Sequence, residues 1–233
     1  VVTEEMLAVG APVWAHWVAD RQSGPVLIRY AKDEVRQDVL PRIVAGECYF
    51  CIGMSEPDSG SDLFSLRSTA KPVGGGWQIN GRKIWTSNAH RADYMIALFR
   101  TDPDLNKKHG GLSQFLIDLK TANGITPRPI KNLAGGENFN EVSFVDVEIP
   151  EDSLIGPEGN GWKQCTEELA LERSGPERYL SCFYLLRKLI ANLKKDCDPS
   201  VKARLGKQIA SAITLRNMSL SIAAQLEDGQ SPT

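Results

Sequence analysis

The sequence predicts an α+β protein of several domains: helices first, then a central antiparallel β-barrel or sandwich, then an incomplete C-terminal helical bundle. Three observations carry this. Apolar residues recur at helical spacing through residues 1–47. Short β-rich runs separated by turn residues fill residues 48–159. The helical period then returns over residues 160–233. A composition of 42% hydrophobic and 24% charged residues suits a packed core.

In the first segment, Val35, Val39, Leu40, Ile43 and Val44 share a helical face. Asp33 is expected to cap that helix and Gly46 to end it. Glu4 to Val18 forms another helical candidate, with Trp14 and Trp17 three apart and able to share a face, and Pro12 either bending it or marking its first turn.

In the middle segment, Tyr94 to Phe99, Gln114 to Ile117 and Glu141 to Val145 read as strands. Gly74-Gly75-Gly76 reads as a hairpin loop, and Asn80-Gly81 as a second hairpin turn. The run Cys48 to Ile52 also reads as a strand, so its C-x-x-C cysteines face opposite sides and serve as small buried hydrophobes. The glycines of residues 156–161 miss the G-x-G-x-x-G spacing and no βαβ unit surrounds them, so they form a linker with Asn160 near the next helix cap. In the last segment, Leu180, Leu185, Leu186, Leu189, Ile190 and Leu193 suggest one helix. Leu205, Ile209, Ile213, Met218 and Ile222 suggest another.

Charge narrows the partners. The net charge is −2, from 27 Lys+Arg against 29 Asp+Glu, with no basic or acidic block. That balance argues against nucleic acid and for a small-molecule or protein partner. No run has membrane-spanning length, and the start lacks a basic-then-apolar leader. Five scattered cysteines do not make a disulfide framework, which places the protein in a reducing, cytoplasm-like compartment. The opening Val1-Val2 and the close at Gln230 to Thr233 suggest a fragment. No His, Cys, Asp and Glu spacing suits a metal. His16 reads as a packing residue, and His90 and His109 as exposed turn residues.

Two longer motifs remain. Gly53-Met54-Ser55-Glu56-Pro57-Asp58-Ser59-Gly60-Ser61-Asp62 resembles the T/S-E-P-x-x-G-S-D loop of the acyl-CoA dehydrogenase family. Gly81-Arg82-Lys83-Ile84-Trp85-Thr86-Ser87-Asn88-Ala89 is similar to that family's N-G-x-K-x-W-[IT]-[ST]-[NG] segment. Asp146 to Pro150, Leu154-Ile155-Gly156 and Leu171-Glu172-Arg173 follow in the family's order. Met54 and Ser55 stand where well-known members carry Val and Thr.

The resemblance implies FAD as cofactor, contacted by Ile52, Met54, Ser55, Gly60, Ser61, Trp85, Thr86 and Ser87. Met54 and Ser55 would meet the pyrimidine edge, and donors there favour the charge that reduction creates. Trp85 would back the ring, Thr86 and Ser87 would lie near N5, and Gly60 would allow close backbone approach. Ser61 and Arg173 would also meet an acyl-CoA thioester. The implied reaction is α-proton abstraction by a carboxylate with β-hydride transfer to flavin N5, giving a trans-2-enoyl-CoA.

By resemblance to isovaleryl- and long-chain-type members, the base would be Glu172. Most relatives place theirs later than residue 233. Pro176 removes the N–H that would bond the Glu172 carbonyl, so the helix should open there. Glu168, Glu172, Arg173, Glu177 and Arg178 equally read as a solvated charged face. An electron-transferring flavoprotein as electron acceptor, a homotetramer or dimer, and a cytoplasmic, mitochondrial or peroxisomal setting are also implied by the family. An acyl-CoA oxidase, a flavin monooxygenase or a non-catalytic subunit on the same fold are the alternatives.

Overall fold

The computed structural model describes residues 2–104, 110–194 and 196–230. In chain order the helices are α1 (Val2–Ala8), α2 (Gly24–Tyr30), α3 (Asp33–Ala45), α4 (Gly161–Ser174), α5 (Glu177–Leu180), α6 (Phe183–Asn192) and α7 (Pro199–Glu227). The strands are β1 (Phe50–Gly53), β2 (Thr69–Val73), β3 (Gly76–Ser87), β4 (Tyr94–Arg100), β5 (Leu112–Asp118), β6 (Ile125–Ile130), β7 (Phe139–Pro150) and β8 (Leu154–Ile155). Two compact units form: His16–Glu168, and Val1–Ala15 with Leu169–Thr233.

In the larger unit the strands order as β6-β7-β3-β2-β4-β5-β8, with β1 beside β4. The α+β class stands, but the sheet is open and mixed rather than a closed antiparallel barrel. β1 runs parallel to β4, and β2 meets β4 in parallel at Thr69 and Arg100. β4 is buried along its whole length, which is why it reads as an unbroken apolar run. Its alternate residues serve two faces. Met95, Ala97 and Phe99 join one core with Phe115, Val142 and Phe144, while Tyr94 and Ile96 join Val26, Leu27, Val39 and Ile43 from α2 and α3.

Cys51 lies in the first of these cores and Cys48 in the second, both free thiols, so the pair does face opposite sides. Burial raises the thiol pKa of each. The Gly74–Gly76 hairpin forms as expected between β2 and β3.

Asn80-Gly81 does not turn the chain. β3 passes straight through it, and the register against β7 slips there as a β-bulge. Gly81 has φ 145°, and a Cβ on it would lie 2.1 Å from Ser68 Oγ. The glycine therefore answers a close backbone approach, not a hairpin.

Gly46 ends α3 in the left-handed conformation, but Asp33 is its first helical residue and Lys32 precedes it without a side-chain cap. The proposed Glu4 to Val18 helix stops at Ala8 and resumes as a short 3-10 turn at Val13–Ala15, and Val18 opens a separate π-helical turn, Val18–Ser23, that runs into α2. Trp14 is 52% exposed, whereas Trp17 is buried. His16 packs as expected, its Nε2 2.6 Å from Ile43 O and its ring edge-on to Tyr49. His90 is half-buried against Asn140 Oδ1 at 2.9 Å, not solvated. His109 lies outside the described residues.

In the smaller unit, Glu4 of α1 accepts hydrogen bonds from Arg216 Nε at 2.8 Å and Tyr179 OH at 3.3 Å. Asp198 caps α7 through Ser200 N, with Pro199 in the first turn. The single helix expected from Leu180 to Leu193 is divided. Leu180 closes α5, and Leu185 to Ile190 lie on α6.

Candidate functional site

The two motif segments meet in the larger unit. The loop of residues 54–62 leaves the end of β1, and Trp85 to Ser87 close β3. Ile84 N donates to Ser55 O at 2.8 Å. One residue earlier, Lys83 Nζ donates to Met54 O at 3.2 Å and to Glu56 Oε1 at 2.8 Å. Glu56 also accepts from Arg67 N at 2.7 Å and Ser68 N at 3.0 Å. The Phe99 ring lies 5.0 Å from Lys83 Nζ and closes the chamber.

Lys83 is fully buried and Glu56 is 8% exposed. Burial pushes a carboxyl up, but the Lys83 charge and the two backbone donors outweigh it and hold Glu56 below its ordinary value. For Lys83 burial prevails over the pull of Glu56, so its pKa falls below the usual lysine value. With a 2.8 Å contact and two further donors on the carboxylate, the ion pair is the form held at neutral pH.

Ile52, Met54 and Ser55 are half-buried, and Gly60, Ser61 and Ser87 are exposed. Among the described residues nothing accepts the Ser55 N–H. A Cβ at Gly60 would meet only Ser55 Oγ, at 3.8 Å, so protein packing does not demand a glycine there. Thr86 is buried, and its Oγ1 has no partner among the described residues.

Trp85 is the most unusual of the set. Its indole is 58% exposed while its backbone sits at φ 61°, a conformation that non-glycine residues rarely take. Phe139 meets it edge-on at 6.2 Å. Behind it, Asn140 Nδ2 donates to Thr86 O at 3.1 Å, and Asn88 N donates to Asn138 O at 2.6 Å. A large apolar ring is thus held outward by strained, well-tied backbone. Unclaimed donors near an exposed aromatic wall fit a flat, amphipathic ring with a polar edge. Asp62 at the end of the loop lines a groove together with Arg67, Lys71 and Arg100.

In the smaller unit, α4 ends at Ser174, just ahead of Pro176, as the missing N–H requires. Glu172 pairs with Arg178, whose Nε also donates to Glu172 O at 3.1 Å. Arg173 is exposed. The solvated charged face expected here does not exist as such, because Glu168 and Glu177 are wholly buried. Glu168 belongs to the larger unit, where Gln114 Nε2 reaches it at 3.1 Å and Gln22 Nε2 at 3.4 Å. Burial pushes its carboxyl up to about 7.

In the sequence Lys83 and Glu56 stand only as letters of their motifs, without a role of their own. A lysine at even spacing from Trp77 and Ile79 within one strand is the available signal. Among the described residues no cluster of His, Cys, Asp and Glu suits a metal, and no helix is long and apolar enough to cross a membrane.

Residues 51–147 match the family model described as acyl-CoA dehydrogenase, middle domain. The acyl-CoA dehydrogenase FadE34 of Mycobacterium tuberculosis is 34% identical over 211 residues, covering 90% of this chain and 29% of that protein. The ChsE4-ChsE5 complex from Mycobacterium tuberculosis matches with TM-score 0.79 and 32% identity, over 100% of this chain and 61% of that one. The FAD complex of PigA matches with TM-score 0.82 and 26% identity, over 98% of this chain and 63% of that one. The chain therefore spans less than two thirds of each of these relatives.

Proposed function

This chain belongs to the acyl-CoA dehydrogenase family, and on that premise we propose that it is the flavin-holding part of an enzyme that oxidises an acyl-CoA thioester to its trans-2-enoyl product. Residues 48–159 are the flavin-binding domain, 1–47 the end of a helical domain before it, and 160–233 the start of another. The observation that carries the reading is the exposed, strained Trp85 beside the unclaimed Ser55 N–H.

FAD, when bound, supplies the hydride acceptor that oxidation of an unactivated C–C bond needs. Met54 and Ser55 offer donors to its pyrimidine edge, with Ile52 behind them. Trp85 would give it an apolar wall, Thr86 and Ser87 would serve its N5 edge, and Gly60 would leave room for its chain. Ser61 and Arg173 meet the thioester. Arg67, Lys71 and Arg100 outnumber Asp62 in the lining of the neighbouring groove, which suits a phosphate-bearing substrate.

Glu172 takes the α-proton. Its present partner is Arg178, and a carboxylate is the form a base needs. An electron-transferring flavoprotein receives the electrons, and the complete protein assembles as a homo-oligomer.

The test is anaerobic reduction of the complete polypeptide with a panel of acyl-CoAs. Wild type should be yellow and should bleach with at least one of them. Glu172→Gln should stay yellow and not bleach. Unchanged bleaching would remove Glu172 from the mechanism, and a colourless protein that refuses added FAD would end the flavin reading altogether.

A further inference from the structure

We propose that Lys83 and Glu56 are a positioning pair, in which Lys83 grips the Met54 carbonyl and so aims the Ser55 N–H at the flavin. The inference rests on FAD being the cofactor and adds to that reading how the loop donor is set.

The geometry follows from the peptide bond. Among the described residues all peptide bonds are trans, and in a planar trans peptide the C=O and the next N–H point in opposite directions. Lys83 Nζ, wholly buried, holds Met54 O at 3.2 Å. The Ser55 N–H on that same peptide therefore points away from Lys83, and no described residue accepts it. Ile84 N fixes the next carbonyl, Ser55 O, at 2.8 Å, so the peptide cannot rotate to swap its ends.

Glu56 makes the arrangement tolerable. A lone buried ammonium would be neutralised or drawn towards water. The Glu56 carboxylate holds it at 2.8 Å, and Arg67 N and Ser68 N hold the carboxylate in turn. A cation on a carbonyl oxygen also polarises its amide, which strengthens the N–H as a donor. Such a donor at the pyrimidine edge stabilises the reduced, more negative flavin more than the oxidised one.

The test uses the complete polypeptide and the double variant Lys83→Met with Glu56→Gln. The double change keeps the chamber filled and leaves its net charge unaltered. A simple loss of field at the flavin is thereby removed from the comparison. FAD affinity is read by flavin fluorescence, the two-electron potential by equilibration with a reference dye, and folding by circular dichroism.

The expected result is a folded protein that binds reduced FAD at least tenfold more weakly relative to oxidised FAD than wild type does. That ratio is a fall of about 30 mV in potential. A variant with the wild-type potential, whether or not both affinities weaken together, overturns the proposal. Loss of the wild-type circular dichroism makes the pair a determinant of the fold and overturns it too. Wild-type protein that binds no FAD fails the cofactor reading instead, before any variant is compared.

Discussion

Glu56 and Glu168 are both buried carboxyls of the larger unit, at 8% and 0% exposure, yet they titrate in opposite directions. Around Glu168 the donors are the neutral amides of Gln114 and Gln22, and burial pushes the group up to about 7. Around Glu56 stand an ammonium at 2.8 Å and two backbone N–H groups, and the carboxyl stays below its ordinary value. Depth therefore does not decide charge. The formal charge of the partner and the number of aimed donors decide it. The two regions also differ in use: one ties α4 to β5, while the other ties a loop to β3 where the candidate ligand site lies.

The sharpest way to break this comparison is Lys83→Met alone. It leaves the Glu56 carboxylate buried with no cation, and removing one member of a buried pair typically costs about 3–5 kcal/mol. Urea unfolding at pH 7 should show a loss of that order. The loss should shrink in acid, because protonation relieves an orphaned carboxylate. A loss under ~1 kcal/mol would mean that Glu56 never relied on Lys83 and resembles Glu168 after all.

Glu168→Gln tests the other side. In the folded chain Glu168 keeps its proton up to about 7, whereas in the unfolded chain it releases it near 4.5. As pH rises between those values the unfolded state loses a proton that the folded state retains, so stability falls. The gap corresponds to roughly 3 kcal/mol at ~1.4 kcal/mol per unit. Wild type should lose up to that much more than Glu168→Gln between pH 5 and pH 8 in denaturant unfolding. Parallel pH profiles for the two proteins would show that Glu168 is already ionised in the fold.

Much of this was legible in the sequence where local pattern and environment agree. β4 reads as a strand because both its faces are buried, and α7 reads as a helix because its apolar period is long. Asn80-Gly81 misled because a two-residue turn signal cannot register that β7 and β2 already flank β3 on either side. Trp85, Met54 and Ser55 were visible as motif letters. The pairing of Lys83 with Glu56 spans 27 residues and appears only when the strands assemble. Glu168 and Glu177 looked like surface charges because helical spacing tells which residues share a face, not which face meets solvent.

The smallest expected effect on stability belongs to the residue with the largest expected effect on the ligand. Trp85 holds an exposed indole on backbone at φ 61°, where glycine is at ease and tryptophan is strained. Trp85→Gly relieves that strain and gives up an edge contact with Phe139 at 6.2 Å. These nearly offset each other, so the unfolding free energy of the apoprotein should stay within ~1 kcal/mol of wild type. Affinity for FAD, by flavin fluorescence, should fall at least tenfold. The buried Glu56 and Glu168 would then belong to the fold, one as a carboxylate and the other as a proton-retaining carboxyl, while a strained indole outside the core is kept for what it binds. A variant that unfolds instead makes the indole part of the core, and undiminished FAD binding removes its role as the wall of the site.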